Sequence, residues 1–140
     1  MDRLGDNDLV KALVISPDEE VRQHLRIALQ SAERRTGGAW QYLEASDGLA
    51  GLRVAWRELP DVVVADEIAS RAGGFAVAKD LRGATDPFPG AIVIVLARPA
   101  DAWLARWSGA DAWIGRPIDP FALADAVVRA VERRHPQEVR

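Results

Sequence analysis

The 140 residues predict a doubly wound α/β domain, a five-stranded parallel sheet between two layers of helices. Three observations carry that reading. Short, nearly continuous Val/Ile runs alternate with amphipathic segments five times along the chain, the rhythm of repeated βα units. The runs at 61–66 and 91–97 carry no polar alternation, which marks strands buried on both faces and hence parallel pairing. The composition is that of an ordinary globular protein, 49% hydrophobic and 28% charged, and one domain fits the length.

The elements follow in order. Residues 11–15 (Lys-Ala-Leu-Val-Ile) form the first strand. A helix over 17–35 comes next, placing Val21, Leu25, Ala28, Leu29 and Ala32 on one face. Ser16-Pro17-Asp18-Glu19 reads as its capping box, with proline at the first helical position, and Gly37-Gly38 as its end. Residues 40–45 alternate as a second strand, and Asp47-Gly48 opens a helix whose stripe is Leu49, Leu52, Ala55, Trp56 and Leu59, stopped by Pro60. Strand three is 61–66, a loop runs to Gly74, and a short helix covers 75–82. Strand four is 91–97, a fourth helix spans 99–108, and strand five is 112–114. Asp119-Pro120 caps the last helix, which runs to 134 with Phe121, Ala124, Val127, Val128 and Val131 inward. Five βα units of this size make a flavodoxin-like three-layer fold, with residues 1–10 a polar extension, 11–134 the domain, and 135–140 a tail or the start of a linker.

Several function classes are excluded. There is no cysteine, so disulfide scaffolds, Cys-ligated metals and thiol catalysis are out. The net charge is −3 and no basic run exceeds Arg34-Arg35 or Arg133-Arg134, which argues against direct nucleic-acid binding. The longest apolar run, 91–97, falls far short of the ~20 residues that span a bilayer, and the polar start lacks a signal-peptide core. A cytoplasmic protein with no membrane contact is expected. No phosphate-cradling GxxxxGK[ST] loop and no G-x-S-x-G elbow is present. His24 and His135 lack companions at ligand spacing. An enzyme is not expected; a small flavodoxin-like enzyme or nucleotide binder is the remote alternative.

In a doubly wound sheet the chemistry sits beyond the carboxyl ends of the strands. Those ends hold Ser16, Ser46, Asp66, Ala97-Arg98 and Gly115-Arg116. Taken together, Glu44-Ala-Ser-Asp-Gly-Leu-Ala50, Pro60-Asp-Val-Val-Val-Ala-Asp66, Gly74-Phe75, Gly109-Ala-Asp111 and Arg116-Pro117 resemble the receiver domain of bacterial response regulators. The likeness runs over most of 11–134, and it rests on the ordered set rather than on any one motif.

That resemblance implies a site. A phosphorylatable receiver of this kind has two acids after strand one, an acceptor Asp after strand three, a Ser or Thr after strand four and a Lys-Pro after strand five. Three carboxylates hold Mg²⁺, which offsets charge on the incoming phosphoryl group. Carried over position by position, the acceptor is Asp66. The two metal-acid positions hold Ser16 and Pro17, with Asp18 one residue beyond. The hydroxyl position is Leu96, the lysine position Arg116, and the aromatic switch position Trp113. Proline offers no side-chain ligand, leucine cannot grip a phosphate, and arginine is a bulkier, forked cation.

The expectation is therefore an atypical receiver signalling through protein–protein contact, without conventional Mg²⁺-dependent phosphorylation. No cofactor is expected, Mg²⁺ entering only if Asp66 and Asp18 form a residual pocket. The alternative is a working receiver that takes phosphate at Asp66 from a histidine kinase. An ion pair between Asp66 and Arg116 is expected at the strand ends. Trp103, Trp107 and Trp113, three of the five tryptophans, fall on the fourth helix and fifth strand. They mark a candidate interface on the face of helix four, strand five and helix five, toward an output domain, a kinase or a second copy. The competing reading is a rotated or shortened fourth helix that buries both indoles.

Overall fold

The structure, a computed structural model, describes residues 10–68 and 72–134. Five strands form one parallel sheet: β1 (Val10–Ile15), β2 (Trp40–Ala45), β3 (Val62–Asp66), β4 (Ala91–Val95) and β5 (Ala112–Ile114). Their order across the sheet is β2-β1-β3-β4-β5. The helices are α1 (Glu19–Thr36), α2 (Gly48–Glu58), α3 (Gly74–Arg82), α4 (Ala102–Trp107) and α5 (Pro120–Arg134).

The period-2 alternation of a strand divides the apolar runs between two cores. Val10, Ala12, Val14, Val62, Val64, Val93 and Val95 point to one face, where Leu25, Ala28, Leu29 and Ala32 of α1 and Leu123, Ala124 and Val127 of α5 cover them. Leu13, Ile15, Val63, Ala65, Ile92 and Ile94 point to the other, under Ala55 of α2, Val77, Ala78 and Leu81 of α3 and Ala105 of α4. Burial on both faces is why these strands show no polar alternation. The parallel register sets Ile15 against Ala65 and Asp66 against Val95, so Ser16, Asp66 and Leu96 converge at one edge.

Several boundaries differ from the expectation. Val10 already pairs with Trp40, so the first strand takes one residue from the extension. The rest of that extension, the 135–140 tail and His135 lie outside the described residues. The capping residue of α1 is Asp18, whose carboxylate accepts from the Glu20 N–H at 2.9 Å, rather than Ser16, whose hydroxyl faces β3. Strand β4 ends at Val95, and a 3-10 turn over Pro99–Asp101 shortens α4 to Ala102–Trp107.

Two apolar stripes also shift. On α2 the side toward the sheet is Gly48, Gly51 and Ala55, while Leu49, Trp56 and Leu59 are exposed. The helix lies so close that a Cβ on Gly51 would stand 2.3 Å from the Ile15 Cδ1. Leu59 itself ends α2 in the left-handed region, with φ 47. On α5, Leu123 fills the core and Phe121 is 79% exposed, although Asp119 does begin the helix by accepting from the Phe121 N–H at 2.9 Å. No helix among the described residues is long and apolar enough to cross a membrane.

Candidate functional site

The site is the cluster of side chains at the carboxyl ends of β1, β3 and β4 and in the segment after β5. Asp66 closes β3 and is 2% exposed. A carboxylate this deep needs partners to offset its lost hydration. Its Oδ1 accepts from the Ile68 N–H at 3.0 Å and from Arg116 Nη2 at 2.7 Å. Its Oδ2 accepts from the Ser16 hydroxyl at 2.9 Å. Both oxygens are therefore engaged by the chain's own donors, one of them a full positive charge.

Arg116 follows β5 and is bound to Pro117 by a cis peptide. Its Nη1 donates to the Leu96 carbonyl at 3.0 Å while Nη2 reaches Asp66, so the planar fork ties the ends of β3 and β4 together. The side chain of Arg116 stays 28% exposed, so the pair opens to water on one side only. Ser16 is wholly buried, and its Oγ also accepts from the Asp18 N–H at 3.2 Å. The Ser16 carbonyl takes a 2.6 Å bond from Arg22.

The remaining expected positions fall as follows. Pro17 is exposed and brings no ligand atom. Asp18 is exposed, and its carboxylate caps the α1 N-terminus. Leu96 is 3% exposed and packs into the core that α2, α3 and α4 cover. Trp113 is half-buried on β5 under the Arg106 guanidinium, 5.6 Å from the ring centroid. Trp103 and Trp107 are exposed on α4, so shortening this helix does not bury them. His24 is exposed on α1 beside Ile27, Ile118 and Pro120.

Sequence reasoning missed two neighbouring carboxyl groups beside this cluster, Glu67 and Asp101. Glu67 follows Asp66 and accepts from the Ala97 N–H at 2.6 Å. Its carboxyl group interacts with that of Asp101, which is 5% exposed and held by the Arg98 fork at 3.2 Å. Burial raises the Glu67 pKa, and the neighbouring Glu67 carboxyl together with Arg98 lowers that of Asp101. The Arg98–Asp101 spacing of three was the one signal for this in the sequence.

A Mg²⁺ ion of the kind the resemblance implies does not suit this donor set. It calls for several hard oxygen ligands, and the positions that would supply two carboxylates are Ser16 and Pro17. Asp66 faces a guanidinium instead. Among the described residues no group of three or more His, Cys, Asp or Glu side chains is placed to hold a metal.

Known proteins agree with this architecture. The chain is 30% identical over 119 residues to an uncharacterized response regulatory protein of Mycobacterium tuberculosis, covering 85% of this chain and 89% of that one. It is 33% identical over 128 residues to the response regulator MprA of the same species, spanning 51% of that longer protein. Among solved structures, a putative response regulator from Chloroflexus aurantiacus superposes with a TM-score of 0.79 at 20% identity, over 89% of this chain and 99% of its own. A receiver domain protein from Clostridium thermocellum gives 0.77 at 23% identity, over 92% and 99%. No protein-family model matches the chain. The chain belongs to the response regulator receivers of two-component signalling.

Proposed function

We propose that this chain is an atypical receiver that signals by binding other proteins in one fixed conformation, without Mg²⁺-dependent phosphorylation of Asp66. The observation that carries the reading is the occupation of both Asp66 oxygens, by Arg116 and the Ile68 N–H on one and by Ser16 on the other. A phosphoryl group arriving at Asp66 has to displace the Arg116 guanidinium and the Ser16 hydroxyl. Nothing at Ser16 or Pro17 then replaces the carboxylates that would hold a metal against the incoming charge. Leu96 offers the phosphate no donor.

Arg116 meanwhile holds a fixed positive charge against Asp66 and ties it to the end of β4. The ends of β3 and β4 are thereby joined permanently, where a switch would join and release them. Signalling then runs through a standing surface, in the cytoplasm, and the level of the protein and of its partner sets the output.

The test is a titration with Mg²⁺ and beryllofluoride, a phosphoryl mimic, followed by amide NMR shifts and tryptophan fluorescence. The reading expects no saturable change at Asp66, Arg116 or Trp113. A saturable response that Asp66→Asn abolishes would establish a working phosphoacceptor instead.

A further inference from the structure

Helix α2 turns its more apolar side away from the sheet. Leu49, Leu52, Trp56 and Leu59 recur at i, i+3, i+7 and i+10, the spacing of a coiled-coil seam. Gly48, Gly51 and Ala55 face the sheet instead, which leaves Leu49, Trp56 and Leu59 43%, 38% and 54% exposed and Leu52 half-buried. Single exposed apolar side chains are ordinary, but a continuous row rimmed by charge marks an interaction site. The backbone gives a second, independent sign. Leu59 ends α2 at φ 47, in the left-handed region where glycine or asparagine sits at least cost. Leucine there strains the backbone, and its side chain stays in solvent rather than in the core. Folding alone favours asparagine at this position, whereas a partner that covers the row favours leucine.

The charges on either side of the row identify what covers it. Between α2 and α3 lies a groove of about 500 Å³ whose walls include Trp56, Ala76, Asp80 and Gly83. Asp80 is thus the acid on the α3 flank of the row. Arg53 and Arg57 come one residue after Leu52 and Trp56, on the flank away from that groove. Arg53 and Asp80 are exposed and have no ion-pair partner among the described residues. Arg57 reaches only the adjacent Glu58, at 3.3 Å. Lys79, beyond Asp80, is turned onto the Trp107 ring. A wholly acidic or wholly basic partner would leave one flank unpaired. A second copy, related by a two-fold axis through the row, lays α2 antiparallel on α2 and sets each basic flank against the other's acidic flank.

We infer that two copies of this chain associate through α2, the row from Leu49 to Leu59 packing on its counterpart and Arg53 of each copy meeting Asp80 of the other. The inference goes beyond the reading of Asp66 and does not rest on it, since none of these residues belongs to the strand-end cluster.

The test is sedimentation equilibrium of the full chain without Mg²⁺ or beryllofluoride. The expected result is a monomer–dimer equilibrium with a Kd on the order of 10–100 μM, in keeping with a small interface. Leu59→Asn relaxes the backbone, so it should raise Tm, measured in dilute solution where the monomer dominates, while weakening association about tenfold or more. Arg53→Glu should weaken association as well, and adding Asp80→Arg should restore it, because the two charges then meet in reverse. A dimer indifferent to Leu59→Asn and Arg53→Glu, or a double reversal that associates no better than Arg53→Glu alone, overturns the inference. So does a chain that stays monomeric at about 1 mM; a Leu-rich helical peptide that shifts the 49–59 amides of that monomer would assign the row to another protein. A response to beryllofluoride in the separate titration would overturn the reading of Asp66 and leave this one standing.

Discussion

Replacing Arg116 with Met keeps most of the side-chain stem and removes the cation that faces Asp66. Two hydrogen bonds go with it, one at 2.7 Å to the Asp66 carboxylate and one at 3.0 Å to the Leu96 carbonyl. Stripping one partner from a fully buried ion pair costs roughly 3–5 kcal/mol. Here the arginine side is 28% exposed, so water can enter, and Ser16 and the Ile68 N–H still serve the carboxylate. The cost therefore settles at about 2–3 kcal/mol, near one charge-assisted bond plus one neutral bond. Asp66→Asn strands the more exposed partner, which water can solvate, and costs only about 1 kcal/mol. The double substitution should then show a coupling of about 1–2 kcal/mol, because removing either partner already removes the pair. Urea unfolding followed by circular dichroism measures all three, provided the slope with denaturant stays constant. An Arg116→Met cost below about 0.5 kcal/mol, or an Asp66→Asn cost that exceeds it, would refute the reasoning that the pair is a structural lock.

The other predictions concern the neighbouring acids and the aromatic side chains. Ser16→Asp puts a second buried carboxylate beside Asp66 and should cost about 2 kcal/mol or more at neutral pH. Like-charge repulsion raises the pKa of that new group, so the loss should shrink as pH falls, as thermal unfolding across pH will show. Glu67→Gln removes the titrating charge and keeps an acceptor for Ala97. Because burial raises the Glu67 pKa, the wild-type contribution is complete below the ordinary glutamate value and is lost as pH rises through the raised one. Glu67→Gln should thus match wild type in acid and exceed it in Tm at higher pH; a constant offset at all pH values would contradict the pairing. Phe88→Ala, at a residue 1% exposed, should cost about 3–5 kcal/mol, whereas Trp107→Ala should cost about 1 kcal/mol or less. Equal costs in chemical denaturation would mean that Trp107 is core.

Much of this fold was readable because its strands are buried on both sides. Runs such as Val62–Asp66 and Ala91–Val95 have one consistent interpretation, and Gly37 and Pro60 mark ends by backbone chemistry alone. Helix faces were less readable where two stripes fit the same period. On α2, Leu49, Trp56 and Leu59 made the more hydrophobic stripe, yet the close approach to Ile15 selects Gly48, Gly51 and Ala55. On α4 both Trp103 and Trp107 are exposed, and the helix starts after a 3-10 turn that no periodicity reveals. At the site, the strand-end positions brought Asp66 and Arg116 onto one short list. Ser16 was read as a helix cap because its hydroxyl suits either job; the buried carboxylate across the sheet decides between them. The Glu67–Asp101 contact joins residues 34 apart through the register of β3 and β4, and local spacing signals only its Arg98–Asp101 half.

The most direct measurement is chemical. The full chain is incubated with Mg²⁺ and acetyl phosphate, a small-molecule phosphoryl donor, and its intact mass is read before and after acid and base treatment. With Arg116 and Ser16 holding both oxygens of Asp66, the mass should stay that of the unmodified chain, in wild type and Asp66→Asn alike. A base-labile phosphoryl adduct in wild type, absent from Asp66→Asn, would contradict the account.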